Sequence, residues 1–119
     1  MGTRRGILGD AGERAAWEAY RGRGYRLVAR NWRCRLGELD LIVAKGRTVV
    51  FCEVKTRVSD ALGGPHESVT PAKQRKIRAL AEAYILAARP GADRYRFDVA
   101  SVTARPGKRP HVYLYEDAF

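Results

Sequence analysis

Residues 37–57 read GELDLIVAKGRTVVFCEVKTR, and their reading decides the fold. Two apolar runs, 39–44 and 48–54, flank a short polar link containing Lys45 and Gly46. Both are rich in Val, Ile, Leu and Phe and too short for helices, and the link carries a turn signal, so the stretch predicts a β-hairpin. Glu38, Asp40, Glu53 and Lys55 fall within these strands. Charged side chains are rare in half-buried strands unless paired, metal-bound or functional.

Strand side chains alternate faces, so Glu53 and Lys55 share one face while Cys52 and Val54 take the other. With an even-membered link, Glu38 is expected to face Glu53, and Asp40 to face Phe51, diagonal to Glu53. Diagonal neighbours lie about 7–8 Å apart, within reach of a shared cation. Asp40, Glu53 and Lys55 are therefore expected to converge, with Glu38 nearby. Carboxylates gathered this way repel one another unless a cation lies between them. Oxygen donors without Cys or His suit Mg²⁺ or Mn²⁺ rather than zinc. A lysine beside them orients a water and offsets charge building on a phosphate. The competing reading is a surface laced with salt bridges, joining Glu53 to Lys55 or Asp40 to an arginine.

The arrangement of Asp40 followed after thirteen positions by Glu53-x-Lys55 resembles the PD-(D/E)xK nuclease superfamily, which includes restriction enzymes and archaeal Holliday-junction resolvases. GELDLI at 37–42, FCEVKTR at 51–57 and RFDV at 96–99 more closely resemble the YraN family of restriction-endonuclease-like proteins, over the span from Gly12 to Asp98. The resemblance implies a divalent-metal-dependent endonuclease acting on DNA, branched or structured DNA included. It implies Mg²⁺ or Mn²⁺ held by Asp40 and Glu53, Glu13 completing or supporting the site, and Lys55 positioning the attacking water. It places a polar residue of the second helix, Lys73 or Gln74, near that site, and it implies a homodimer.

At 119 residues the chain is expected to form one domain over 1–119, with a modest core. Its formal charge of +10, from 23 Lys+Arg against 13 Asp+Glu, points to a polyanion partner, DNA before RNA. No apolar run approaches a membrane-spanning length and no secretory signal opens the chain, so no membrane partner and a cytoplasmic location are expected. Cys34 and Cys52 read as reduced thiols, and His66 and His111 are not spaced as zinc partners.

Residues 1–9 read as a flexible basic arm. Asp10 reads as the cap of a helix over about 11–21, stopped at Gly22 and Gly24. Glu13 shares a helical stripe with Trp17 and Tyr20 and so points toward the sheet, unless it closes a capping box with Asp10. Residues 25–33 read as a strand. There Trp32, among Arg30, Arg33 and Arg35, either contacts nucleic acid or packs on the core. Residues 58–69 read as a loop beside the site, with His66 as a candidate proton donor. Thr70 and Pro71 open a helix to about Ala88. Its stripe of Ile77, Leu80, Ala81, Tyr84 and Ile85 is expected to be buried, and its first half is strongly basic. Strands over 94–103 and 112–115 are joined by an exposed basic turn, and Asp98 reads as an ion-pair partner of Arg96.

The fold class is α/β (α+β): one mixed sheet of about five strands flanked by helices, in the order α-β-β-β-α-β-β. Lys73, Gln74, Lys76, Arg57, Arg33, Arg35, Lys108 and Arg109 are the candidate nucleic-acid contacts. The rival expectation is a non-catalytic nucleic-acid-binding module on the same fold. A small basic protein assisting RNA assembly is the third.

Overall fold

A computed structural model describes residues 6–58 and 69–119, with side chains from Gly9 onward. Its elements are α1 (Gly6–Gly22), β1 (Arg26–Cys34), β2 (Gly37–Lys45), β3 (Thr48–Arg57), α2 (Pro71–Ala88), β4 (Arg94–Thr103) and β5 (His111–Tyr115). The strands form one mixed sheet in spatial order β1-β2-β3-β4-β5. Only β3 and β4 run parallel, with α2 carrying the chain between them. This is the expected α+β fold and element order.

The helices cover opposite faces. Ala16 and Tyr20 of α1 bury against Leu41, Val43, Val50, Ala100 and Val102. Ile77, Leu80, Ala81 and Tyr84 of α2 bury against Ile42, Phe51 and Val99. Near-continuous apolar runs in β2, β3 and β4 make sense here, because a sheet covered on both sides has no polar face to present. The hydroxyl of Thr70 accepts from the Lys73 amide at 3.2 Å, capping α2 as expected. The helix stops at Arg89, which is left-handed at φ 48° and donates its amide to the Ile85 carbonyl.

Three expectations need correction. The β2–β3 turn is Gly46-Arg47, so Leu41 faces Cys52 and Ile42 faces Phe51. Glu38 therefore does not face Glu53, and Asp40 does not face Phe51. Parity survives, because the shift is by two residues. The turn lies one position further along and is held by Arg47, whose carbonyl accepts from Asp93 and whose guanidinium holds the Asp93 carboxylate at 2.7 Å and the Gly91 carbonyl at 2.6 Å. Second, α1 begins at Gly6, so residues 6–9 belong to the helix, while 1–5 lie outside the described residues. Third, Asp10 is inside α1 and caps nothing, which removes the capping-box role for Glu13. Of the two readings of Trp32, core packing holds: it meets Tyr84 edge-on, with centroids 5.4 Å apart, on the α2-side core.

Asp98 is fully engaged, as its mid-strand position suggests. Arg96 grips both its carboxylate oxygens at 2.9 Å, Tyr20 donates to it at 2.6 Å, and the Asp117 amide donates at 2.9 Å. This network ties α1, β4 and the C-terminal turn together. Both cysteines are free thiols. No helix among the described residues is long and apolar enough to cross a membrane.

Candidate active site

Where the β2–β3 hairpin ends, the sheet opens. Paired register stops at Leu41 and Cys52. One residue further, Asp40 Oδ2 accepts the Val54 amide at 2.9 Å, so a carboxylate takes the place of a backbone carbonyl. Alternation also breaks at this point, since Leu39 packs on the α2 side and Leu41 on the α1 side. The splayed strands border a cleft of about 470 Å³ lined by Glu13, Asp40, Glu53, Lys73 and Lys76 among others.

Each wall has its own cause. α1 approaches β3 so closely that a Cβ on Gly12 would collide with the Thr56 hydroxyl, and this contact brings the next residue, Glu13, to the cleft. Glu13 is buried at 3% exposure, and its Oε1 lies 3.6 Å from the Arg30 guanidinium. Glu53 lies on the α2-facing side of β3, with Oε2 3.5 Å from Lys73 Nζ. Lys76, one turn further along α2, lies over Gly37, where a Cβ would stand 3.2 Å from the lysine Cε.

The electrostatics centre on Glu53. Burial, and then the charge of Asp40, push its carboxyl up from 4.5 to about 7, while Lys73 and Lys55 pull the other way. Burial is the larger cause, and the two lysines only partly counter it. Cys52 points to the opposite, α1 side, and burial raises its thiol far above the ordinary range, so it offers no thiolate here.

The remaining candidates are placed as follows. Lys55 is half-buried on the Glu53 face and its charge reaches Glu53, but its side chain does not line the cleft. Glu38 lines the cleft edge and pairs with Arg33 at 3.1 Å. Gln74 donates to the Val69 carbonyl at 2.8 Å, bracing the entry to α2. Arg35 is exposed in the β1–β2 turn, and Arg57 is half-buried at the end of β3. Lys108 and Arg109 are exposed in the β4–β5 turn, which Arg105 closes by donating to the Arg109 carbonyl. His66 lies outside the described residues.

Sequence reasoning missed Arg30 as the cation beside Glu13, since it entered only as one arginine near Trp32. It also missed the Gly12–Thr56 approach, for which the Gly-Glu pair at 12–13 was the available signal. Among the described residues, no three His, Cys, Asp or Glu side chains cluster so as to enclose an ion. Asp40 and Glu53 nonetheless fit Mg²⁺, which takes one or two carboxylates and fills its shell with water and substrate phosphate.

A family model described as "Uncharacterised protein family UPF0102" matches residues 12–102, a span that holds Glu13, Asp40, Glu53, Lys73 and Lys76. A UPF0102 protein of Mycolicibacterium vanbaalenii is 51% identical over 106 residues, covering 88% of this chain and 85% of that one. UPF0102 protein STH1475 of Symbiobacterium thermophilum is 46% identical over 114 residues, covering 94% and 95%. A UPF0102 protein of Caldicellulosiruptor saccharolyticus is 44% identical over 95 residues, covering 80% of each.

Proposed function

The chain belongs to the UPF0102 family, and we propose that its cleft hydrolyses phosphodiester bonds in nucleic acid, DNA before RNA, with Mg²⁺ or Mn²⁺ bound by Asp40 and Glu53. One observation carries this reading: two acidic side chains share a lysine-rimmed cleft, and one of them is held near pKa 7 by burial and by the other's charge. Carboxyls perturbed by burial together with a specific charge partner, in a cleft, cluster at functional sites. The resemblance to PD-(D/E)xK nucleases supports the same assignment.

When bound, the ion supplies Lewis-acid polarisation of a phosphoryl oxygen and lowers the pKa of a coordinated water. The protein's own part is electrostatic and positional. Lys73 and Lys55 oppose the upward shift of Glu53 and so favour its ionised form. Lys73 and Lys76 then face the phosphate, offsetting its charge as the leaving oxygen develops. The resemblance to PD-(D/E)xK nucleases assigns the attacking water to Lys55, whose charge reaches Glu53 from the same strand face. Glu13, held by Arg30, supports the acidic wall from α1. Exposed Arg35, Lys108 and Arg109 grip flanking phosphates, with affinity that falls steeply with salt.

A second reading, binding without cleavage, has a specific support: Lys73 already sits against Glu53 as a built-in counterion. Cleavage of labelled duplex, single-strand, flap and four-way-junction DNA, with matched RNA, decides between them. The nuclease reading expects Mg²⁺- or Mn²⁺-dependent products that fall by roughly a hundredfold or more in Glu53→Ala and Lys55→Ala, while binding persists. Tight binding by all samples with no products from any would leave the binding module.

A further inference from the structure

Beyond the cleft, the sheet continues its rows of side chains toward β5. Register places Glu53 beside Val99, and Val99 opposite Tyr115. The next row on the same face runs Lys55, Ser101, Tyr113. Strands lie about 4.8 Å apart, so each tyrosine begins roughly 10 Å from its acidic or basic row-mate. Tyr113 and Tyr115 contact one another, with ring centroids 4.5 Å apart and planes tilted by 40°.

The pair is not core packing on both sides. Tyr115 leans on the α2-side core, while Tyr113 lies beyond it at 47% exposure, on an edge strand. Nor does it stand alone. Arg57, two residues past Lys55 on the same face, acts electrostatically on the Tyr115 hydroxyl. The turn that follows β4 adds the exposed Lys108 and Arg109 at the same end of the sheet. An exposed tyrosine in contact with a half-buried one and framed by cations is complementary to a ligand with a flat π-face and a phosphate chain.

We propose that Tyr113 and Tyr115 are a stacking platform for an unpaired nucleobase, so that the strand leaving the cleft toward β5 is single-stranded. This rests on the reading of the cleft as a phosphodiester site and narrows its substrate to strands with unpaired nucleotides beside the scissile phosphate. A base within a duplex already has both faces stacked, whereas an unpaired one offers its face to an aromatic ring at little selectivity among bases. The cations hold the backbone and the tyrosines read only that the base is free.

The test is metal-free binding by the full chain, so that cleavage plays no part. Single-stranded and duplex DNA and RNA carrying a fluorescent adenine analogue are titrated with the wild type, Tyr113→Ala and Tyr113→Phe. Stacking predicts quenching of the analogue in single strands. Alanine should weaken single-strand binding by between about 5- and 150-fold, phenylalanine should retain it, and duplex binding should be unchanged by either. Equal loss for alanine and phenylalanine, equal loss for duplex, or no loss at all overturns the platform while leaving the cleft reading intact. A change in sedimentation mass with Tyr113→Ala, without a change in binding, would instead assign the pair to contact with a second copy and also overturn it. A wild type that binds none of the probes overturns both readings.

Discussion

Replacing Glu53 by glutamine should stabilise the metal-free protein, and only above mildly acidic pH. The carboxyl is pushed from 4.5 to about 7, first by burial and then by Asp40. At 1.36 kcal/mol per pH unit, keeping it ionised in the fold costs about 3 kcal/mol. The sign follows from proton linkage. Below pH 4.5 the group is protonated in both folded and unfolded chains, and its contribution is neutral between them. Between 4.5 and about 7 the unfolded chain releases the proton that the folded one keeps, so stability falls as pH rises. Above about 7 the full cost persists. Urea unfolding of wild type and Glu53→Gln across this range should give curves that coincide near pH 4 and separate by up to about 3 kcal/mol near pH 8. That figure is already net of the favourable Lys73 and Lys55 charges, which pull the carboxyl down. Mg²⁺ at about a hundred times its Kd should then add about 2.7 kcal/mol to the wild type at high pH and less to the variant. A Glu53→Gln protein that is less stable than wild type near pH 8, or equally shifted at both pH values, would refute the account of Glu53 as a carboxyl destabilised by burial and by Asp40.

Gly12→Ala should destabilise by about 1–3 kcal/mol in thermal or urea unfolding, because its Cβ collides with the Thr56 hydroxyl; Thr56→Ala in the same chain should recover part of the loss. Asp98→Ala should cost about 3–5 kcal/mol, since it leaves the buried Arg96 without its bidentate partner and the Tyr20 hydroxyl without its acceptor. Ser101→Ala should be neutral or stabilising by about 1 kcal/mol, because the serine hydroxyl is buried with no hydrogen-bond partner among the described residues.

The legibility of this protein divides along one physical line. Side-chain period in a strand is two, so the sequence alone separates Glu53 and Lys55 from Cys52 and Val54, and the structure keeps them on opposite sides of β3. The Thr70-Pro71 signal locates α2 because a cap acts through the next three residues. Both are local. Register was misjudged by two residues because the turn is held by Arg47 reaching Gly91 and Asp93, contacts more than forty positions away that no hairpin rule contains. Lys55 was given the central place because it shares a strand with Glu53, yet Lys73 is the lysine that touches it, since α2 packs its first turn over that face. The same distinction explains Asp98. Its motif looks as functional as GELDLI, but four donors converge on it from three separate segments and leave it no work besides holding them. Asp40 also accepts a backbone amide, yet it does so where the ladder has opened onto a cleft, and its charge reaches Glu53. What separates Asp40 from Asp98 is where each carboxylate sits, one at an opening of the ladder and the other inside a closed network, a property of packing and not of motif.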